Sequence, residues 1–305
     1  MHMKNYIVIM WLSFIVLGSC KKDNEIKLGE ELQPDYTMMK LSGDRPNLNI
    51  SILLDLSDRI NPEKYPNPAM DYYLRDIGYI KSVAQAFEIH LRNKQSIKIN
   101  DHIQLFLDPE PSDRDLNEKI ETLKMSFTKN NATRDLILQT SKDYDSISTL
   151  LYETAINDDK YIGSDTWRFF KNKVKDYCID EDSRNILVIL TDGYLYHKDT
   201  KIKTKNRTSY IRPQDIRDFN LTKNDWKDKF VNEDFGFLPV DIDLSKLEVL
   251  VLGINPDKKN QFEEDVVLKY WKDWFDSMSV KKYEIKITDL PSNMDKIIKD
   301  FICYE

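Results

Sequence analysis

Hydrophobic and polar positions along the chain fall into two recurring patterns. Some runs are apolar almost throughout: "NLNISILLDLS" from Asn47 to Ser57, "ILVILTDG" from Ile186 to Gly193 and "LEVLVLGINP" from Leu247 to Pro256. Runs of this kind predict strands buried on both faces, as in a parallel sheet. "HIQLFLD" (His102 to Asp108) and "KKYEIKITDL" (Lys281 to Leu290) predict two more strands, and "KMSFT" a short edge strand. Between them lie stretches with helical spacing. Ile77, Ile80, Val83, Ala84, Phe87 and Leu91 mark one face of a helix expected over about Tyr72 to Lys94, since side chains three and four apart share a face. Helices are also expected over "SISTLLYETAI", Thr166 to about Tyr177, about Gln261 to Met278, and "NMDKIIKDFI". The segment from Asp115 to Thr140 has no clear period. Strands alternating with helices imply an α/β fold: a doubly wound, mostly parallel sheet with helices on both faces. The stretch at about 194–245 is mostly polar and too long for a simple connection, so it reads as an insertion with local structure of its own.

The N-terminus stands apart from this alternation. After Lys4 comes a short apolar core, "YIVIMWLSFIVLG". It is shorter than the roughly 20 apolar residues a spanning helix needs and suits a signal peptide. The core ends in "LGSC", which resembles a bacterial lipobox. That resemblance implies a signal segment over 1–20, a lipid on Cys20, and anchoring to a bacterial membrane in the cell envelope, at the outer membrane or cell surface. Each acyl CH₂ buried in the bilayer would contribute about 0.8 kcal/mol. Residues 21–45 are polar and read as a tether, leaving one domain over 46–305.

Charge narrows the function. The chain carries 32% charged residues and a net charge of −7, which argues against nucleic acid as a partner, because phosphate neutralisation needs a basic face. No Gly-x-Ser-x-Gly elbow, phosphate-binding Gly-rich loop or Cys-x-x-Cys occurs, and the four histidines are scattered. A small-molecule substrate is not expected. Beyond Cys20 only Cys178 and Cys303 remain; no spacing rule pairs them, and two unpaired buried thiols are expected. "YWKDWF" reads as a helix packing face. "HKDTKIKTKNR", a basic run beside Tyr194 and Tyr196, is a candidate for partner contact.

Two buried strands end in acid: Asp55 in "ILLDLSDR" and Asp192 in "ILVILTDG". In doubly wound sheets ligands bind beyond the carboxyl ends of strands near the switch in strand order. If these strands are neighbours, Asp55, Ser57 and Asp192 converge there, with Thr166 of "YIGSDTW" nearby. Taken singly, each of these residues is an ordinary turn or cap residue.

Together, and in this order, they resemble the metal-ion-dependent adhesion site of the von Willebrand factor type A domain. That site uses Asp-x-Ser-x-Ser after the first strand, a Thr in a later loop, and an Asp after a later strand. The resemblance implies that Asp55, Ser57, Thr166 and Asp192 hold Mg²⁺ or Mn²⁺, and that an acidic side chain of a protein partner completes the coordination. Arg59 departs from the pattern, standing where the second Ser belongs. A guanidinium has no lone pair to donate. Either Arg59 swings away, or it takes the cation's place by pairing with Asp55 and Asp192. Tyr194, Tyr196 and Arg59 itself are the candidate partner contacts. The competing enzyme class is a haloacid-dehalogenase-type phosphatase with Asp55 as nucleophile. It requires a second carboxylate where this chain has Ser57.

Overall fold

The computed structural model describes residues 45–56, 58–157 and 164–304. The expected signal segment, Cys20 and the tether lie outside the described residues, and so does Ser57. Strand β1 (Asn47–Leu54) leads through a short 3-10 turn at Asp58–Ile60 to helix α1 (Tyr72–Arg92). Next come β2 (Asn100–Phe106), α2 (Arg114–Glu121), β3 (Met125–Thr128) and α3 (Arg134–Asn157). After α4 (Thr166–Asn172) and α5 (Val174–Tyr177) the chain enters β4 (Ser183–Leu190). Short elements follow: β5 (Lys203–Thr204), β6 (Arg207–Thr208), α6 (Pro213–Asp218), α7 (Trp226–Asn232) and β7 (Gly236–Phe237). The chain then runs through β8 (Leu247–Ile254), α8 (Glu263–Ser277), β9 (Lys282–Ile287) and α9 (Pro291–Cys303).

The main sheet has six strands in the order β3-β2-β1-β4-β8-β9. All neighbours pair in parallel except β2 and the edge strand β3. The α/β, mostly parallel architecture expected from the alternation is therefore the observed one. The chain builds outward from β1 to β3, then returns to place β4 on the other side of β1. The switch in strand order lies between β1 and β4, whose last residues, Leu54 and Leu190, are register partners.

Alternate residues of each strand serve opposite cores. Ile50, Ile52 and Leu54 of β1 and Ile186, Val188 and Leu190 of β4 pack with α1, α3 and α9 through Ile80, Val83, Phe87, Leu151 and Ile298. Leu53, Leu187, Ile189, Val249 and Val251 face the other way, toward Phe169, Phe170, Trp271 and Trp274. Residues from two-sided burial account for the near-continuous apolar runs. Cys178 belongs to the second core and Cys303 packs against the first. Both thiols are free, and the sheet stands between them.

Three element boundaries differ from expectation. Helix α3 begins at Arg134, well before "SISTLLYETAI", because Ile137, Thr140 and Tyr144 already keep the buried stripe in a mostly polar stretch. The single helix expected from Thr166 to Tyr177 breaks at Lys173, whose φ of −125° leaves the helical region. The ambiguous segment holds α2, which buries only Leu116 and Ile120 and starts at an Asp113 side chain that accepts from Leu116 N.

Between β4 and β8, a three-stranded sheet in the order β5-β6-β7 forms beside α6 and α7. Its Ile211, Ile216, Trp226, Phe230 and Phe237 pack into the core of α8. In "YWKDWF", Tyr270, Trp271, Trp274 and Phe275 are all buried there, so that segment is a packing face.

Candidate functional site at the strand switch

Asp55 and Thr191 are the first residues past β1 and β4. Asp55 N donates to Leu190 O at 2.9 Å and Thr191 N to Leu252 O at 3.0 Å, so the ladder holds both in place. The Thr191 hydroxyl donates to Asp55 Oδ2 at 2.9 Å. Asp192 starts a tight turn: its Oδ1 accepts from Tyr194 N at 3.0 Å, and Gly193 N donates to Thr191 Oγ1 at 3.1 Å. Gly193 has φ +98°, and a Cβ there would meet Val267 and Ile254 at 2.7 and 2.9 Å. Only glycine fits. Trp271 Nε1 donates to Gly193 O at 2.9 Å and pins the turn to α8.

Arg59 lies at the centre of the acidic groups. It is 5% exposed, and its Nη2 pairs with Asp76 Oδ2 of α1 at 2.5 Å. Tyr152 of α3 donates to the same oxygen at 2.9 Å. Burial acts to lower the Arg59 pKa, but Asp76 first, then Asp192 and Asp55 among the carboxylates, raise it above the usual arginine value. Desolvation raises the Asp76 pKa while Arg59 and Tyr152 oppose it. Asp192 is half-buried by exposed area, yet protein crowds its carboxyl. Its pKa is pushed up to about 7, first by desolvation and then by the Asp55 charge, with Arg59 pulling the other way.

Asp55 and Asp192 follow neighbouring strands at one edge of the sheet, and Arg59 stands beside both. The pattern leaves two outcomes for Arg59, swinging away or pairing with Asp55 and Asp192; its direct ion pair is with Asp76, and the other two carboxylates act on it as neighbouring charges. Asp76 was missed. A signal for it existed: it shares the helical stripe of Ile80, Val83 and Phe87, and a carboxylate on a buried stripe needs a partner. Gly253, at φ +98°, sits 3.7 Å (as a built Cβ) from Asp76 Oδ1 and 3.0 Å from Thr191 O, which brings α1, β4 and β8 together at one point.

The Thr166 loop reaches the same edge. Ser164 Oγ donates to Leu54 O at the end of β1. Asp165 caps α4 by accepting from Arg168 N at 3.0 Å, and its Oδ2 accepts from Thr200 Oγ1 at 2.6 Å. Thr166 is buried, and its Oγ1 has no hydrogen-bond partner among the described residues. Arg59 Nε is in the same position.

A Mg²⁺ or Mn²⁺ ion wants several hard oxygen ligands in near-octahedral array. Among the described residues, no three His, Cys, Asp or Glu side chains are placed to hold a metal together. The Asp55 carboxylate takes a bond from Thr191, and a buried positive charge sits among the acids.

The two candidate contact tyrosines have different surroundings. Tyr194 donates to Glu263 Oε1 at 2.9 Å and accepts from Asp257 N at 3.0 Å, so its hydroxyl is committed within the fold. Tyr196 is 40% exposed. The Arg212 guanidinium lies 4.6 Å from its ring centre.

No protein-family model and no curated protein matches the chain. Its structure has low similarity to several solved ones. An aerotolerance-related membrane protein from Bacteroides fragilis NCTC 9343, carrying multiple mutations to serine, matches with a TM-score of 0.36 and 12% identity over 84% of this chain and 98% of that one. The pilus adhesin SpaC from Lactobacillus rhamnosus GG gives a TM-score of 0.39 and 11% identity, over 86% of this chain and 30% of the adhesin. Proximal thread matrix protein 1 from the mussel byssus gives 0.34 and 10%, over 84% of this chain and 45% of that protein. The chain thus spans less than half of the adhesin and of the byssus protein.

Proposed function

We propose that this chain is a non-catalytic protein-binding module for adhesion or assembly, of the von Willebrand factor A type. It would be held in the cell envelope by a lipid on Cys20, with Arg59 standing in for the metal ion. The observation that carries this is the buried Arg59 guanidinium at the strand switch, paired with Asp76 and flanked by the charges of Asp55 and Asp192. A fixed cation does electrostatically what a divalent ion does in the family pattern: it lets several carboxylates share a buried edge. It cannot offer an open coordination position, so the partner is recognised by hydrogen bonds and charge on the surrounding surface. The phosphatase alternative needs a general acid two residues after Asp55, and that position is Ser57.

The test removes the arginine. Wild type should show no thermal stabilisation by Mg²⁺ or Mn²⁺ and no heat of binding. Without metal, Arg59→Ser should lose about 3–5 kcal/mol, since Asp76 keeps a buried charge without its counter-ion. With metal it should regain stability, by about 2.7 kcal/mol at a hundred times its Kd. Two unit charges 4 Å apart repel by about 4 kcal/mol at an effective dielectric of 20, so losing the guanidinium favours the ion. Asp192→Ala in the Arg59→Ser background should abolish the gain. Tight Mg²⁺ binding by wild type, unchanged in Arg59→Ser, would overturn the replacement and restore ordinary metal-dependent adhesion.

A further inference from the structure

The insertion reverses the sign of the chain's charge beside the strand switch. Between Lys198 and Arg217 there are seven basic and two acidic residues, in a chain of net charge −7. Lys198, Lys201 and Lys203 are exposed and form no ion pair among the described residues. Two of them rest on aromatic rings instead: Lys201 Nζ lies 5.3 Å from the Tyr210 ring centre and Lys203 Nζ 4.8 Å from that of Phe219. Arg212 lies between Tyr196 at 4.6 Å and Tyr210 at 5.9 Å, and these two rings meet edge-on at 6.4 Å. Asp215 neutralises Arg212 through a bond of 2.8 Å, so the unpaired lysines carry the excess charge.

The cluster is rigidly mounted. An antiparallel bridge joins Leu195 to Ile211, both buried, which fixes Tyr196 beside Tyr210 and Arg212. Thr200 bonds to Asp165, the residue before Thr166. The basic surface therefore abuts the acidic edge of the sheet. An ordered aromatic floor holding cations above it suits a ligand that offers carboxylates together with apolar side chains. Tyr and Arg are also the residues in which protein interfaces concentrate their energy.

We infer that Tyr196, Tyr210 and Arg212, with Lys198, Lys201 and Lys203 around them, form the docking surface for an acidic, partly apolar segment of a partner protein. This rests on the protein-binding reading above and names the partner's chemistry. Lipid is the less favoured occupant: a flat anionic membrane needs charge alone, whereas half of this surface is aromatic and arginine chemistry already ordered by internal contacts.

The probe is a fluorescein-labelled peptide of alternating glutamate and leucine, followed by anisotropy with the full chain carrying Cys20→Ser, so that no acyl chain contributes. Binding should be saturable and weaken with added salt. Lys201→Glu with Lys203→Glu, on an exposed hairpin, should weaken it about tenfold, and Tyr196→Ala should weaken it at high salt as well. Lys119→Glu with Lys142→Glu, on distant helices, should leave it unchanged. Equal loss in both double variants would overturn the proposal, since overall charge alone would then explain binding. So would a peptide that does not bind wild type. Binding to phosphatidylglycerol vesicles in place of the peptide, lost in Lys201→Glu with Lys203→Glu, would assign the surface to a membrane and overturn the protein partner. Any of these failures leaves the Arg59 experiment to stand or fall separately.

Discussion

His90 and Asp101 meet at the end of the sheet opposite the acidic edge, and their burial makes them sensitive to pH. His90 Nε2 and Asp101 Oδ1 are 3.0 Å apart, Lys94 Nζ bonds to Oδ2 at 2.8 Å, and Leu48 N donates to Oδ1 at 2.7 Å. Desolvation holds the His90 pKa below its ordinary 6.5, against the pull of Asp101. Burial would raise the Asp101 pKa, but the hydrogen bonds from His90, Lys94 and Leu48 hold it below its ordinary 3.8. As pH falls below 6.5, the unfolded chain protonates this histidine before the native state does. The unfolded state then binds more protons, and the native state loses stability down to the folded pKa of His90. The Asp101 contribution is retained until pH falls toward 3.8. Wild type should therefore lose more stability than His90→Gln as pH drops below 6.5. Urea unfolding of both at stepped pH measures the difference; parallel loss in the two proteins would refute it. At the acidic edge, Asp76 and Arg59 follow the same chemistry in another form: each is tolerated in the interior because the other is there.

Elements hold the site through close approaches at strand ends. The β8 ladder shifts register between Leu252 and Ile254, and Gly253 lies at that irregularity with φ +98°. Its lack of a side chain lets Thr191 O and Asp76 come near β8. Gly253→Ala should cost about 1–3 kcal/mol, from a backbone conformation that L residues rarely adopt together with a crowded Cβ. Chemical denaturation measures it, and a loss below about half a kcal/mol would mean that the neighbouring strand ends yield freely. Helix α8 contributes at the same scale: Trp271 holds the Gly193 carbonyl, and Glu263 at its first turn accepts from Tyr194. The Asp192 turn is thus set by a helix far along the chain, which explains why Tyr194, adjacent to the site in sequence, is occupied by the scaffold.

For the whole molecule, the lipid proposed on Cys20 would set its place in the cell envelope. Among the described residues no helix is long and apolar enough to cross a membrane. Cys20→Ser should give an unlipidated chain that partitions out of the detergent phase. Mature, membrane-bound protein in that variant would reject the lipobox. The sheet and its helices were legible in the sequence because two-sided burial leaves near-continuous apolar runs, and helix packing leaves a repeat of about 3.6 residues. Asp55 and Asp192 could be placed at one edge for the same reason: a parallel strand shows where its carboxyl end lies. Helix α2 and the early turns of α3 were hidden, since few buried residues mark them. The partner of Arg59 was decided only by tertiary structure. Its choice of Asp76 over Asp55 depends on which helix packs over the strand switch, and on a tyrosine from α3 bonding to the same oxygen. A one-dimensional pattern can say that a buried carboxylate needs a counter-charge. Which charge answers it is set by distance in the folded chain, because desolvated charges interact strongly only with what lies within a few ångströms.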